Sequence, residues 1–356
     1  MFVALRDLRF ARGRFILIGS VVALITVLVG FLSGLTGGLA AQNISAVLSI
    51  PGDRLVFSAP SSGSTAVSFS DSAVTEIQAK AWEATSDVSD VQPIGISQTR
   101  ADNGDTRVAI AAFGVQRGFD SSSPTTNGSL GLSTAAATDL GVSTGDTVTI
   151  AGTAYEVESI AGDWWYSHTP VVKMTLHDWQ AYSAATGNPD VYATVLAVSG
   201  SPDWENVSSD TGTVAESTLG SLTALSAFKS EIGSLLMIVA MLFGISALVI
   251  GAFFTVWTMQ RSGDIAVLKA LGASTRSLVY DALGQALIVL VLGIGLGIGL
   301  VAILGALAGN ALPFMLNPLT TLLPGAIMIV LGLAGAAFAL RSVTSADPLT
   351  ALGSNR

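Results

Sequence analysis

Four long apolar runs constrain this chain more than any other feature. They cover approximately residues 15–39, 232–257, 282–307 and 319–340. Each is long enough to cross about 30 Å of hydrocarbon as an α-helix, which takes about 20 residues. Only 12% of the side chains are charged, about half of what is usual in a soluble protein. The runs therefore predict a polytopic α-helical membrane protein with four transmembrane helices.

The positions of lysine and arginine give the orientation. Four arginines lie in residues 1–14, three basic residues lie between the second and third runs, and Arg341 follows the fourth run. The segment 308–318 between the last two runs has no charge. Because basic residues favour cytoplasmic loops, we expect a multi-pass protein of the cell membrane with both termini in the cytoplasm.

The segment between the first two runs is large and acidic. Residues 42–231 contain 21 acidic and 7 basic side chains. The orientation places this segment outside the cytoplasm, so its acidity gives no indication of nucleic-acid binding. Segments rich in β-branched residues alternate with helix-like ones, which predicts an α+β extracytoplasmic domain inserted between helices 1 and 2.

Local signals within this domain predict individual elements. Residues 146–162 are typical of a hairpin with Gly152 at the turn. Residues 65–70 have the composition of a strand, and residues 71–85 that of a helix capped by Asp71 or Ser70.

These patterns give the following division of the chain. Residues 1–41 are the cytoplasmic N-terminus with helix 1, 42–230 the extracytoplasmic domain, 231–258 helix 2, 259–281 a cytoplasmic segment, 282–307 helix 3, 308–318 a short external loop, 319–341 helix 4, and 342–356 a cytoplasmic tail.

Glycines recur at four-residue spacing in the first and third runs. Gly30, Gly34 and Gly38 form one stripe, and Gly293 with Gly297, and Gly295 with Gly299, form others. Such stripes allow helix backbones to approach closely in a membrane, so we expect them to be packing faces.

Several kinds of chemistry are absent from the sequence. The chain has no cysteine, which excludes thiolate chemistry, and it contains neither a Walker A pattern nor an H-E-x-x-H motif. It has two histidines, His168 and His177, at a spacing of nine that matches no known ligand pattern, and neither pairs with a serine in a nucleophile motif. We expect no enzymatic activity and no prosthetic group, and we expect both histidines to be ordinary domain residues.

Residues 257–274, WTMQRSGDIAVLKALGAS, interrupt the apolar runs with charged side chains. An apolar stripe that includes Leu268 lies beside Arg261, Asp264 and Lys269, as in a short amphipathic helix at a membrane surface. Such a helix is suited to docking a soluble partner.

The same segment resembles a known family. RSGDIAVLKALGAS (261–274) is similar to the cytoplasmic loop of FtsX/MacB-type permeases of ABC transporters, with Asp264 where glutamate is usual. LGVSTGDTVTIAG (140–152) and the C-terminal ADPLTAL (346–352) also resemble parts of that family, as does the arrangement of one span, a large outer domain and three spans.

The resemblance implies partners and a mechanism. The permease would form a homodimer in the lipid bilayer and bind two separate ATP-binding subunits, which hydrolyse ATP. Arg261, Asp264, Leu268 and Lys269 would couple the permease to those subunits. Helix motion would then rearrange the outer domain or a cleft at the outer leaflet.

Length, span number and Glu231 resemble the haem-efflux permeases within this family. Glu231 lies at the outer end of the second run, and no charged residue follows it until Arg261. In such a dimer the two copies of Glu231 would lie near each other, and oxygen is a hard donor suited to ferric iron. The expected haem site comprises Glu231 as iron ligand, with Phe228, Leu235, Phe31 and Leu35 as apolar walls. Haem would be the transported substrate.

Two alternatives remain open at this point. Glu231, with Lys229, could be an interfacial anchor that faces headgroup water. The chain could also be a mechanotransmitting or antimicrobial-peptide-exporting permease of the same family that acts through its outer domain.

Overall fold

The computed structural model describes residues 12–60, 66–260, 274–309 and 312–344, together with residues 263, 267, 271 and 272. The described helices are α1 (Arg12–Leu48), α2 (Glu76–Glu83), α3 (Thr134–Leu140), α4 (Leu176–Ala185), α5 (Trp204–Thr211), α6 (Thr218–Ser221), α7 (Ser226–Gln260), α8 (Thr275–Ala308) and α9 (Pro318–Thr344). The described strands are β1 (Arg54–Ser58), β2 (Val88–Asn103), β3 (Thr106–Val115), β4 (Ser129–Leu132), β5 (Thr147–Ile150), β6 (Thr153–Ile160), β7 (Trp165–Tyr166), β8 (Thr169–Thr175), β9 (Val195–Gly200) and β10 (Thr213–Ser217).

The chain divides into two compact units, which we call the membrane unit (Met1–Gly38 and Ser234–Arg356) and the inserted domain (Leu39–Gly233). Four described helices are long and apolar enough to cross a membrane, namely Phe15–Leu48, Ser226–Gln260, Thr275–Ala308 and Pro318–Leu340. The predicted fold class of four membrane helices with an α+β domain between the first and second is therefore confirmed. α1 continues to Leu48 and α7 begins at Ser226. Both extensions have mixed composition, so a search for long apolar runs does not detect them.

Glycine stripes bring α1 and α8 together in the membrane unit. A side chain at Gly30 would meet Val301 Cγ2 at 2.9 Å, and one at Gly293 would meet the carbonyl oxygen of Gly19 at 2.9 Å. A side chain at Gly38 would meet the backbone of Pro313. The stripes of Gly30–Gly38 and of Gly293 with Gly297 therefore pack within one chain, whereas a side chain at Gly295 or Gly299 would meet no atom of the described chain within 4 Å.

The sheet of the inserted domain has the strand order β10-β1-β9-β2-β3-β8-β4-β6-β5, and β7 pairs with β8. β5 also pairs with β2 through Ile150 and Thr149, so that β2, β3, β8, β4, β6 and β5 form a closed ring. The length of β2 makes this possible. Its first part pairs with β9, whereas Gly95–Asn103 pairs with β3.

Three groups of buried side chains fill the inserted domain. One lies within the ring and includes Leu130, Val148 and Met174. A second surrounds Trp82 of α2, which is fully buried. The third joins the C-terminal end of α1, through Val47, to β1, β3 and the β7–β8 hairpin.

One buried ion pair stabilises the ring. Lys173 of β8 is buried, donates to Asp120 and to Ser122 Oγ, and lies with its Nζ 3.7 Å from the ring centroid of Trp164. Burial by itself raises the pKa of Asp120, but hydrogen bonds from Lys173, Ser122 and Ser123 outweigh this and lower the pKa to about 2. The pair therefore keeps Asp120 ionised.

Candidate functional site

Glu231 lies in the second turn of α7, within the inserted domain. Its side chain is 40% exposed, so a ligand can reach the carboxylate. The carboxylate does not simply face solvent, because two side chains from other elements contact it.

The first of these side chains is His168, at the tip of the β7–β8 hairpin. His168 Nε2 lies 3.1 Å from both carboxylate oxygens of Glu231. The two turn residues, Ser167 and His168, have positive φ angles of 50° and 63°, as a two-residue turn of type I′ requires. Their backbone N–H groups donate to the carbonyl oxygens of Asn43 and Gln42 at 2.9 Å. The hairpin tip is thereby fixed to α1.

The second side chain is Asn43 of α1. It is 1% exposed, and its Nδ2 donates to Glu231 Oε2 at 3.2 Å. Its Oδ1 is buried without a hydrogen-bond partner among the described residues. The site thus joins α1, the β7–β8 hairpin and α7 at one carboxylate.

The hydrogen positions at this site are assigned from the chemistry of the three groups. An ionised carboxylate only accepts hydrogen bonds, so Nε2 of His168 carries the proton that Glu231 accepts. The Asn43 amide is oriented by the same argument, because its oxygen would repel the carboxylate. Nδ2 of Asn43 and Nε2 of His168, 3.4 Å apart, are therefore both donors to Glu231.

The arrangement is suited to an open ligand site rather than a closed metal centre. Among the described residues, no group of three or more His, Cys, Asp or Glu side chains converges to hold a metal ion. A single exposed carboxylate with two fixed donors can supply one oxygen ligand to a metal that arrives with its other ligands in place, as in a metalloporphyrin.

The four predicted wall residues lie in different surroundings. Phe228 is half-buried and packs against the core cluster that contains Phe57 and Phe113. Leu235 and Leu35 are half-buried in the membrane unit. The ring of Phe31 packs against that of Phe314 with 5.0 Å between centroids.

The predicted coupling residues Arg261, Asp264, Leu268 and Lys269 lie outside the described residues. Near them, the N–H of Leu271 donates to the carbonyl oxygen of Val267 at 3.0 Å, as in a helical turn. Gly272 follows with φ of 95°, and Ser274 caps α8.

Sequence reasoning missed His168 and Asn43. His168 was expected to be an ordinary domain residue, but it contacts Glu231 directly. His177, on the exposed side of α4, instead contacts Asn127 and Asp178. The one sequence signal for His168 is its place in a short polar turn, Ser167–His168, between two apolar strands, and such a turn does not show which helix it contacts.

Comparison with known proteins relates part of the chain to a family. Residues 236–348 match the model of the FtsX-like permease C-terminal region. The chain is an ABC transporter permease that is similar to the FtsX-like permeases over this region. It is a non-catalytic subunit of an ABC transporter, and ATP hydrolysis belongs to a partner. Its four long apolar helices are those of a multi-pass membrane protein, and the distribution of basic residues indicates that the inserted domain lies outside the cytoplasm.

Similar proteins cover different parts of this permease. It is 25% identical over 359 residues to HrtB of Staphylococcus epidermidis, a permease protein assigned to a hemin transport system, with 99% of each chain covered. It is 30% identical over 135 residues, 35% of each chain, to an uncharacterised ABC transporter permease of Mycobacterium bovis. The periplasmic region of MacB from Actinobacillus actinomycetemcomitans covers 51% of this chain and 94% of its own, with a TM-score of 0.36 and 13% identity.

Proposed function

We propose that this permease expels haem from the membrane, using ATP hydrolysed by two separate ATP-binding subunits that bind a permease homodimer. The observation that carries the proposal is the exposed Glu231 carboxylate with its two fixed donors. The full-length similarity to a permease assigned to hemin transport supports the same substrate.

The proposed site binds haem through two kinds of contact. Glu231 supplies an oxygen ligand to the ferric iron, for which oxygen is a hard donor. Phe228, Leu235, Phe31 and Leu35 supply apolar contacts to the porphyrin. Burial of apolar surface contributes about 25 cal/mol per Å², so the macrocycle supplies most of the affinity and the carboxylate fixes its orientation.

The surface of α7 supports the proposed homodimer. Of the residues in the most apolar 18-residue stretch of α7, 11% are buried within the chain, compared with 33–39% in the other three spans. Leu236, Met237, Met241 and Leu248 are exposed. A second copy of α7 would cover part of this surface by an isologous contact and bring two copies of Glu231 to one site.

Coupling to the ATP-binding subunits is assigned to Arg261, Asp264, Leu268 and Lys269. Reversing a charge in a protein interface costs several kcal/mol. Asp264→Lys should therefore abolish stimulation of ATP hydrolysis but leave equilibrium haem binding unchanged.

The test is haem export and haem-stimulated ATP hydrolysis by the complete transporter in proteoliposomes. Glu231→Ala should reduce both at least tenfold, and Glu205→Ala, which removes an exposed carboxylate from α5, should reduce neither. Export at the wild-type rate by Glu231→Ala would refute the site. If the wild-type transporter exports no haem and haem does not stimulate its ATP hydrolysis, the mechanotransmitting and peptide-exporting alternatives are favoured instead.

A further inference from the structure

The two oxygens of the Glu231 carboxylate have unequal surroundings. Oε2 accepts from Asn43 Nδ2 at 3.2 Å and lies 3.1 Å from His168 Nε2. Oε1 lies 3.1 Å from the same Nε2 and receives no bond from Asn43. If one oxygen ligates iron, the geometry favours Oε1, because Oε2 can then keep both donors.

Asn43 holds its position at a cost to the fold. Its amide is buried, and Oδ1 has no hydrogen-bond partner among the described residues. A buried polar atom without a partner destabilises the folded state, and such atoms in native structures call for a functional explanation. Within the described part of the chain, the Asn43 side chain bonds to Glu231 and lies 3.4 Å from His168 Nε2.

His168 is held in place by its turn. Both turn residues of the hairpin adopt positive φ, as the type I′ turn requires. Bonds from this turn to the α1 backbone hold the tip in place, and the result is that Nε2 reaches Glu231. A buried amide and a fixed hairpin tip therefore both contact a single carboxylate.

We propose that Asn43 and His168 are positioning residues, which hold Glu231 through Oε2 and present Oε1 to the haem iron. This inference rests on the proposed function, in which Glu231 is the iron ligand. Partners that orient a metal ligand typically raise metal affinity 10- to 100-fold. Neither residue contacts the iron itself.

The chain offers matched variants for the test. His168→Asn keeps a residue that tolerates positive φ but is too short to reach Glu231, whereas His168→Gln restores a donor of nearly the original reach. Asn43→Leu removes the donor together with the unsatisfied oxygen at similar volume, so it should not lower the thermal midpoint. His177→Asn is the control for loss of a histidine elsewhere in the domain.

The measurement is ferric haem titration of the purified full-length permease, with the electron paramagnetic resonance spectrum of the bound iron. We expect His168→Asn and Asn43→Leu to bind haem about 10- to 100-fold more weakly and to change the rhombicity of the ferric signal. His168→Gln should recover most of the affinity, and His177→Asn should match the wild type.

Three results would overturn the inference, and they differ from one another. If Glu231→Ala loses haem but both positioning variants bind it with the wild-type affinity and spectrum, the inference fails and the proposed function stands. If His168→Gln is as defective as His168→Asn, and the wild-type iron carries a nitrogen hyperfine coupling that adds to those of the four porphyrin nitrogens and is lost in both variants, His168 is itself a ligand. If Glu231→Ala binds haem as the wild type does, both the proposed function and the inference fail.

Discussion

Positive-φ glycines are concentrated in the inserted domain of this permease, whereas the glycine stripes of the membrane unit lie within helices. In the membrane unit, Gly30 and Gly38 lie where a side chain would collide with Val301 or with the backbone of Pro313. In the inserted domain, Gly141 and Gly152 have open space around them but positive φ angles, at the end of α3 and at the β5–β6 turn. Gly30 and Gly38 thus allow close approach, whereas Gly141 and Gly152 allow a backbone conformation. The domain also has glycines of the first kind, such as Gly95 and Gly114, where a side chain would collide with Trp179.

The difference reflects the two solvents. Lipid is as apolar as the helices, so burial gives little driving force and close packing must supply the contact. In water, burial of side chains such as Trp82 stabilises the domain, and its glycines are needed mainly where the chain turns.

Polar side chains show the same contrast. In the membrane unit, Thr26, Ser246 and Thr258 donate to the carbonyl oxygen four residues earlier in their own helices. The inserted domain instead places Lys173 and Asp120 together from different segments. These three hydroxyls in the spans donate within their own helices, whereas Lys173 and Asp120 join two segments of the domain that are 53 residues apart.

The largest expected effect is in the membrane unit. Gly38→Leu places a side chain against the backbone of Pro313, which cannot rotate away. The cost should exceed the ~1–3 kcal/mol of an ordinary overpacked core, so little monodisperse protein should be recovered on size-exclusion chromatography in detergent. Gly295→Leu has no atom within 4 Å and should behave as the wild type; equal losses in both variants would remove the close-approach explanation.

In the inserted domain, truncation of a large buried side chain should have the largest effect on stability. Trp82 is fully buried and its Nε1 donates to Thr213 Oγ1 at 3.2 Å. Trp82→Ala should lower the free energy of unfolding by about 3–5 kcal/mol, measured by denaturant titration of the full chain and followed through the remaining domain tryptophans. Ile77→Ala, on the same helix but 82% exposed, should change it by less than about 0.5 kcal/mol. A similar loss in both would show that burial does not stabilise this domain.

The smallest expected effect is on the thermal stability at low pH. The pKa of Asp120 is lowered from 3.8 to about 2 in the folded chain, so its stabilising contribution is complete above about pH 4 and is lost as the pH falls toward 2. The thermal midpoint of the wild type should fall over this range more steeply than that of Asp120→Asn. Parallel pH profiles would contradict the assigned role of the pair.

Elements with local signals were predictable from the sequence. The hairpin with Gly152 is confirmed, since Ala151 and Gly152 form its two-residue turn. The helix predicted at 71–85 is shorter, Glu76–Glu83, and its predicted cap was wrong: Thr75 caps it in a capping box with Gln78. The T-x-x-Q signal was present in the sequence. Residues 66–70 of the predicted strand at 65–70 form no strand.

The environment of Glu231 was not predictable in the same way. Glu231 was singled out because it is a charge at the end of an apolar run, which is a local property. Asn43 and His168 are 188 and 63 residues away in sequence. Their contact depends on how the β7–β8 hairpin packs against α1, and a single sequence contains no pattern that predicts this packing.

The most direct test of the account is a haem titration of the purified permease, followed in the Soret region, with Glu231→Ala and Lys229→Ala compared with the wild type. Both residues lie near the start of α7, and Lys229 is exposed, so Lys229→Ala controls for a general change at the interface. The account predicts a bound-haem spectrum in the wild type and Lys229→Ala, and at least tenfold weaker binding in Glu231→Ala. Equal binding by all three would contradict it and leave Glu231 as an interfacial anchor.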